Sequence, residues 1–198
     1  MSTTMQNSPI LIIGGGHSVN SLDLEVAKKF TTIAINNAWK RFPRAVECFA
    51  GDHRWWGEWG EGEKLLKGFK GQISSCRGVG AVPKDRGVRL YSLSADEKML
   101  WNPEYVLAPD SGTKAICRAY HRGGNPILLA GYDLAPGPNG QSHFHQEHKM
   151  PTDPQQWVQW GSVHKRAVEM LKTKKVEVFR VTEPGLECIP YRPLECFL

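Results

Sequence analysis

The sequence has no long apolar run, no paired-cysteine motif and no low-complexity tract. No apolar run reaches the ~18–20 residues that a membrane-spanning helix needs, so we predict no membrane association. The five cysteines are odd in number and include no CxxC pair, which is typical of reduced thiols rather than of a disulfide framework. The polar segment 1–8 lacks the basic start and apolar centre of a secretory signal. These absences favour a cytoplasmic protein.

Length and composition favour one globular domain. The chain has 198 residues, of which 40% are hydrophobic and 23% charged, and this is enough to bury a core. No Pro- or Ser-rich linker divides the chain, so we predict one domain over 1–198, with a flexible segment at 1–8 and an irregular tail at 183–198. The net charge of +5 favours anionic partners such as nucleotides or nucleic acid. Nothing in the sequence indicates the oligomeric state.

A run of β-forming residues leads directly into three glycines near the start of the chain. Ile10–Ile13 predicts a buried first strand, and Gly14, Gly15 and Gly16 predict a tight loop before a helix whose cap is Asn20 or Ser21. Glycine permits a positive φ and the close approach of a ligand. The amides of such a loop, with the start of the following helix, bind a phosphate or carboxylate.

Two common nucleotide-binding motifs are excluded at this loop. No Lys-Ser/Thr pair follows the glycines, which excludes a Walker loop. Val19 stands where the third glycine of a G-x-G-x-x-G motif would be. The loop therefore predicts a nucleotide-like ligand at the end of the first strand, with no finer identification.

Further strand patterns alternate with helical patterns along the chain. Strands are predicted at 31–37, 46–51, 72–75, 87–93, 126–133 and 175–181, and helices after the glycine loop, within 57–67, from Asp110 to Tyr120 and over 154–174. This alternation predicts an α/β fold, a single doubly wound and mainly parallel Rossmann-like sheet with helices on both faces. The polar residues that end the strands then share one rim of the sheet, where open α/β folds bind ligands.

Three histidines lie in the long loop between the strand that ends at Asp133 and the last helix. One of them, such as His143, could act as a general base toward an acceptor hydroxyl, since imidazole titrates near neutral pH. His143 and His145 place two rings on one side of an extended segment, and with His148 they could bind Zn²⁺ or another transition metal, with Asp133 or Glu147 as an added ligand. The alternative is that all three are polar surface residues.

The segment after the third strand combines an acid, a base and aromatic rings. Asp52 could hold a ribose, a metal or an acceptor hydroxyl, and Arg54 could contact phosphate. Tryptophan rings stack on bases or sugars. For Trp56 and Trp59 the alternative is packing under a loop.

Two other polar pairs have both a structural and a functional interpretation. Asn36 and Asn37, at the end of the second strand, are either turn residues or ligand contacts beside the glycine loop. Ser111 and Gly112 either only begin a helix or bind an anion through their amides.

A set of short motifs resembles a known superfamily. The motifs are I-I-G-G-G-x-S at 12–18, I-x-I-N-N at 33–37, F-x-G-D at 49–52, S-G-T-x-A-I at 111–116, G-Y-D-L at 131–134 and the histidine loop. Together they resemble a Rossmann-like superfamily that includes the bacterial family 42 sialyltransferases, the hydroxymethylpterin diphosphokinases and unassigned phage proteins. The resemblance covers about residues 10–190.

The resemblance implies a nucleotide site and a histidine base. Carried over by position, the implied nucleotide contacts are Gly14, Gly15, Gly16, Ser18, Asn36, Ser111, Gly112, Gly131 and Asp133. Asn37 joins them as the neighbour of Asn36, and His143 is the implied general base. Asp52 and His145 complete the predicted catalytic set.

These patterns predict a nucleotide-dependent transferase that moves a sugar from a nucleotide-sugar to an acceptor. The acceptor could be a modified base of phage DNA. If the protein is phage-encoded, the cytoplasm in which it works is that of the host. One alternative is phosphoryl or pyrophosphoryl transfer with Mg²⁺ held by Asp52 and Asp133. Another is a non-catalytic protein that sequesters a nucleotide or associates with a virion.

Overall fold

The computed structural model describes residues 8–83, 86–145 and 153–198, which form an eight-stranded sheet covered by helices. The strands are β1 (Ser8–Ile13), β2 (Thr31–Ile35), β3 (Glu47–Phe49), β4 (Gln72–Cys76), β5 (Arg89–Ser94), β6 (Tyr105–Leu107), β7 (Gly124–Ala130) and β8 (Val178–Arg180). The α-helices are α1 (Leu24–Ala27), α2 (Ala38–Arg41), α3 (His53–Trp56), α4 (Glu61–Gly68), α5 (Ser111–His121) and α6 (Pro154–Thr173). Three 3₁₀ helices cover His17–Ser21, Glu97–Trp101 and Leu194–Phe197.

Every pair of neighbouring strands is parallel, in the order β6-β5-β4-β3-β2-β1-β7-β8. The chain builds outward from β1 to β6 and then returns to the other side of β1 for β7 and β8. The predicted Rossmann-like α/β sheet is therefore confirmed. The order reverses between β1 and β7, and open sheets of this kind bind ligands beyond the carboxyl ends of the strands at such a reversal.

Alternate residues of β1 belong to two separate cores. Ile10 and Ile12 pack with α5 and α6 on one face of the sheet. Leu11 and Ile13 pack with α1 to α4 on the other face. A strand buried on both faces has no polar side to expose, which is why β1 is a continuous apolar run.

Short elements account for most differences from the sequence prediction. Strand β6 and helices α2 and α3 have only three or four residues, too few to produce a periodic pattern. The predicted cap at Asn20 or Ser21 is wrong, because both residues lie in the first 3₁₀ helix. Asp23 caps α1 instead, accepting hydrogen bonds from the amides of Glu25 and Val26.

The predicted tail at 183–198 packs against the sheet. Its backbone pairs with β8 through Arg180 and Tyr191, and Ile189 and Leu194 are buried. Of the predicted flexible segment 1–8, the structure describes only Ser8, which begins β1. Among the described residues, no helix combines the length and the apolar character needed to cross a membrane.

Candidate functional site

A cleft of about 1130 Å³ opens beyond the carboxyl ends of the central strands. Its walls come from the segments that follow β1, β2, β3, β4 and β7, from the start of α5 and from the first half of α6. The predicted site residues that line it are Gly14, Gly15, Gly16, Asn36, Asn37, Asp52, Ser111, Gly112, Gly131, His143 and His145. Tertiary folding thus brings most of the predicted residues into one space, next to the point where the strand order reverses.

The glycine loop joins β1 to the end of β7. The amide of Gly14 donates to the carbonyl of Ala130 at 2.8 Å, and the amide of Gly16 donates to that of Gly131 at 2.9 Å. A Cβ at position 14 would lie 2.6 Å from the carbonyl oxygen of Gly131. Two of the amides predicted to bind an anion are therefore already used within the protein.

The loop needs glycine for close packing and not for backbone conformation. Positive φ occurs nearby at Gly131 (70°) and Asn36 (48°), whereas Gly16 has a φ of −64°. A Cβ at Gly15 would lie 2.7 Å from Cδ2 of His143. The prediction of a positive φ in the glycine loop is therefore wrong. Other groups do approach the loop closely, but in the structure these groups belong to the protein itself.

Ser18 and Asp133 are bonded to each other behind the loop and do not line the cleft. The amide of Ser18 donates to Oδ2 of Asp133 at 2.7 Å, and its hydroxyl donates to the other carboxylate oxygen. The Ser18 hydroxyl also lies 2.7 Å from Oγ1 of Thr182. Burial raises the pKa of Asp133, and the bonds from Ser18 offset part of this effect. In the structure these residues fasten the glycine loop to the end of β7, and their contact with a nucleotide stays a prediction.

The two asparagines after β2 have different surroundings. Asn36 adopts a left-handed backbone conformation, which asparagine tolerates better than most residues. Its backbone N–H donates a hydrogen bond to the carbonyl of Phe49. Its side-chain Oδ1 is buried without a hydrogen-bond partner in the described part of the chain. Oδ1 of Asn37 accepts a hydrogen bond from Nε1 of Trp55 at 3.1 Å. Asn36 therefore leaves an unused acceptor at the cleft.

Asp52 caps α3 at one side of the cleft, where its carboxylate accepts a hydrogen bond from the amide of Arg54 at 2.8 Å. The Arg54 guanidinium lies 3.5 Å from the same carboxylate and 5.5 Å from the ring centre of Trp59. Trp56 is buried and its Nε1 donates to Ala50, as the packing interpretation expected. Trp59 lines the cleft.

The histidine loop lies directly on the glycine loop. The amide of Phe144 donates to the carbonyl of Gly15 at 2.9 Å, which places His143 against Gly15. The ring centres of His143 and His145 are 5.3 Å apart. His148 and Glu147 lie outside the described residues, so the predicted metal set is only partly described. Within the described ranges, no group of three His, Cys, Asp or Glu side chains is placed to hold a metal ion.

Two cleft residues that were not among the predicted site residues, Asp110 and His164, join α5 to α6. Oδ1 of Asp110 accepts from the amide of Thr113 at 2.9 Å and lies 2.8 Å from Nε2 of His164. Burial would raise the pKa of Asp110, but His164 and Thr113 hold it well below its usual range. The ring of Tyr132 is tilted by 56° to that of His164, with 5.3 Å between the ring centres, and its hydroxyl donates to the carbonyl of Gly112 at 3.0 Å.

His164 is 2% exposed, and its Nδ1 has no partner in the part of the chain that the structure describes. The sequence did contain a signal, because a histidine stands among the apolar positions of α6. Helical spacing of this kind predicts that the side chain is buried, but it does not show that the histidine borders the cleft.

Lys114 is the third residue that sequence reasoning missed. It is the fourth residue of α5 and is only 4% exposed. Its Nζ donates to the carbonyl of Pro109 at 2.8 Å, and a Cβ at Gly51 would lie 3.3 Å from its Cδ. In sequence it cannot be told from the exposed lysines, because its burial depends on contacts with the end of β3.

No protein-family model matches the sequence, and no curated protein matches it. The fold is similar to that of the Maf glycosyltransferase from Magnetospirillum magneticum AMB-1, with a TM-score of 0.63 and 17% identity over 97% of this chain. The chain spans 34% of the length of that protein. It is also similar to the sialyltransferase CstII from Campylobacter jejuni, with a TM-score of 0.57 and 14% identity over 94% of this chain and 86% of CstII.

The CstII structures include a complex with the substrate analogue CMP-3FNeuAc and another with a trisaccharide acceptor and CMP, the latter giving a TM-score of 0.60. These structural neighbours are glycosyltransferases, and the likeness shows that this chain shares their fold. The resemblance to pterin diphosphokinases and phage proteins stays a prediction.

Proposed function

We propose that the protein is a glycosyltransferase that binds a nucleotide-sugar donor in the cleft. The observation that carries this proposal is the position of the cleft at the β1–β7 reversal, in a fold shared with glycosyltransferases. CstII, which has this fold, was crystallised with CMP and with a CMP-sugar analogue.

The nucleotide would bind between the glycine loop and the start of α5. The amides of Ser111 and Gly112 lie at the N-terminus of this 11-residue helix, where the helix dipole favours a phosphate. The unpaired Oδ1 of Asn36 offers an acceptor for a hydroxyl or amino group of the nucleoside. Gly15 lets the His143 ring lie against the glycine loop, since a Cβ there would meet that ring, and this brings the imidazole beside the proposed donor site.

His143 would remove the proton from the acceptor hydroxyl as the sugar is transferred. Its ring lies against Gly15, beside the proposed donor site, and a positioned general base typically contributes about 10²–10⁴-fold in rate. Asp52 would orient the acceptor from the segment that follows β3, and His145, whose ring centre is 5.3 Å from that of His143, would support the base.

The first test is thermal unfolding with nucleoside monophosphates and their sugar conjugates. A ligand at one hundred times its Kd should stabilise the protein by about 2.7 kcal/mol. If none of them raises the melting temperature, the proposal fails.

The second test is the variant His143→Ala, measured with the nucleotide-sugar that gives the largest thermal shift. We expect transfer to fall by about 10²-fold or more while binding of that nucleotide is retained. His53→Ala is the matched control, because the His53 side chain is 68% exposed at the edge of the cleft. Unchanged transfer in His143→Ala would remove it as the base, and binding without any turnover in the unmodified protein would favour the sequestering alternative.

The Mg²⁺-dependent alternative gains no support from the geometry. Of its two predicted ligands, Asp52 lines the cleft, whereas Asp133 is bonded to Ser18 behind the glycine loop. The participation of Mg²⁺ or Zn²⁺ stays a prediction. It is tested by repeating the thermal unfolding measurements with each metal and with a chelator. A DNA acceptor likewise stays a prediction, tested by offering DNA in the transfer assay.

A further inference from the structure

Lys114 brings a buried positive charge to the cleft. An ammonium group carries three N–H donors, and Nζ uses one of them in its bond to Pro109. No carboxylate oxygen of the described residues lies within the 4.0 Å that defines an ion pair with Nζ. Because burying a charge is costly unless it is paired, this charge lacks the compensation that buried lysines normally have.

The nearby carboxylates have other partners. Asp110, one turn earlier, is bonded to Thr113 and His164. Asp52 caps α3 through the amide of Arg54. Neither carboxylate forms an ion pair with Lys114.

Two further cleft groups point to the same conclusion. Oδ1 of Asn36 and Nδ1 of His164 are buried without a partner among the described residues. Asn36 follows β2, Lys114 lies on α5 and His164 lies on α6, and all three residues line the cleft. Since buried polar groups are nearly always hydrogen-bonded, a polar molecule that binds in the cleft explains all three.

The spacing of the strands gives the distance between the Lys114 ammonium group and the glycine loop. Lys114 packs on Gly51, which follows β3, and β3 lies two places from β1 in the sheet. With strands about 4.8 Å apart, the ammonium group is about 10 Å along the rim from the glycine loop. It therefore addresses a different part of the ligand from the part that would bind beside the glycine loop.

We propose that Lys114 forms an anion subsite on the β3 side of the cleft and binds a carboxylate or phosphate group of the ligand. The subsite belongs to the cleft of the proposed function and rests on it for its biological role, but it can be tested without a nucleotide or a transfer reaction. It has a consequence for the unliganded protein: removing the charge should not destabilise it, because an unpaired buried charge opposes folding.

The test compares melting temperatures in sodium chloride, sodium pyrophosphate and sodium malonate at equal ionic strength. The variants are Lys114→Met, Lys114→Gln and the control Lys172→Met, which removes one charge from an exposed position of α6. We expect pyrophosphate or malonate to raise the melting temperature of the unmodified protein and of Lys172→Met by about 3 °C or more. The anion that gives the larger rise in melting temperature shows whether the subsite binds a phosphate or a carboxylate.

Both Lys114 variants should melt in chloride at or above the temperature of the unmodified protein and lose the anion shift. Three results would overturn the proposal: an unmodified protein that responds to neither anion, Lys114 variants that keep the shift, or Lys114 variants that both melt several degrees lower in chloride. If the anions raise the melting temperature and no nucleotide does, the proposed function is overturned and the subsite remains. If a nucleotide raises it and neither anion does, only the subsite is overturned.

Discussion

At the scale of single residues, the three glycines have different neighbours. A Cβ at position 14 would meet the backbone carbonyl of Gly131, at a junction between two central strands that cannot move independently. A Cβ at position 15 would meet only the ring edge of His143, which belongs to a side chain and can turn away. Gly14 is therefore required by the fold, and Gly15 by the geometry of the cleft.

We expect Gly14→Ala to lower the free energy of unfolding by about 1–3 kcal/mol, the usual cost of forcing extra atoms into a packed region. The matched variant Gly15→Ala should change it by less than about 1 kcal/mol. Urea unfolding of the two variants measures both values. Equal destabilisation by the two substitutions would contradict the distinction between them.

The sequence predicted where the glycine loop lies but not why it needs glycine. Three glycines after an apolar run predict a loop at a strand end from local pattern alone. Their close packing involves Gly131 and His143, more than 110 positions away in the chain. Ser18 and Asp133 illustrate the same limit, because the pattern predicts two ligand contacts and the fold bonds them to each other.

At the scale of secondary-structure elements, the contact between Asp110 and His164 ties α5 to α6. Asp110 is a helix cap that local sequence predicts, because aspartate before an apolar helical pattern satisfies the first amides. Its partner, His164, is 54 positions later in the chain, so the local sequence cannot predict the contact. The pair fixes the start of α5, which forms one wall of the cleft.

The pH dependence of stability should report this contact. The pKa of Asp110 is lower in the folded state than in the unfolded chain, so its ionised form stabilises the fold at neutral pH. That contribution is present above the unfolded pKa of about 3.9 and is lost as pH falls below it. Asp110→Asn should lose about 1–3 kcal/mol at pH 7, since one carboxylate acceptor becomes a donor, and its deficit should shrink below about pH 4.

Urea unfolding at pH 7, 5 and 3.5 measures this dependence. Asp23→Asn is the matched control, because Asp23 caps the exposed start of α1 and asparagine caps a helix about as well as aspartate. A deficit for Asp110→Asn that does not change with pH would show that the charge of Asp110 contributes nothing.

At the scale of the whole molecule, a buried ion cluster joins the sheet to α5. Glu47 of β3 has no solvent exposure and accepts hydrogen bonds from Arg118 at 3.0 Å and Arg122 at 2.6 Å. Burial alone would raise the pKa of Glu47, but Arg118, Ser74 and Arg122 lower it below its usual value. Arg118 also lies 4.3 Å from the ring centre of Tyr91.

We expect Glu47→Gln to lower the free energy of unfolding by about 3–5 kcal/mol, because it leaves two arginines without their buried counter-charge. For a domain of this size the melting temperature should fall by about 6 °C or more, which calorimetry measures. Glu25→Gln is the control, since the Glu25 side chain is 81% exposed and its pair with Lys28 should contribute at most about 1 kcal/mol. A small effect of Glu47→Gln would mean that water or other groups compensate the arginines.

By itself the sequence determined the fold class and the identity of most residues at the rim of the sheet. Apolar strand patterns alternating with helical ones specify a parallel sheet, and polar residues at strand ends are then brought to one edge, because parallel strands all end on the same side. The tertiary structure alone decided the strand order, the position of the cleft at the β1–β7 reversal and the burial of Glu47, Asp110, Lys114 and His164. The physical reason is that burial and charge pairing depend on contacts between residues that are far apart in the chain, which no local pattern contains.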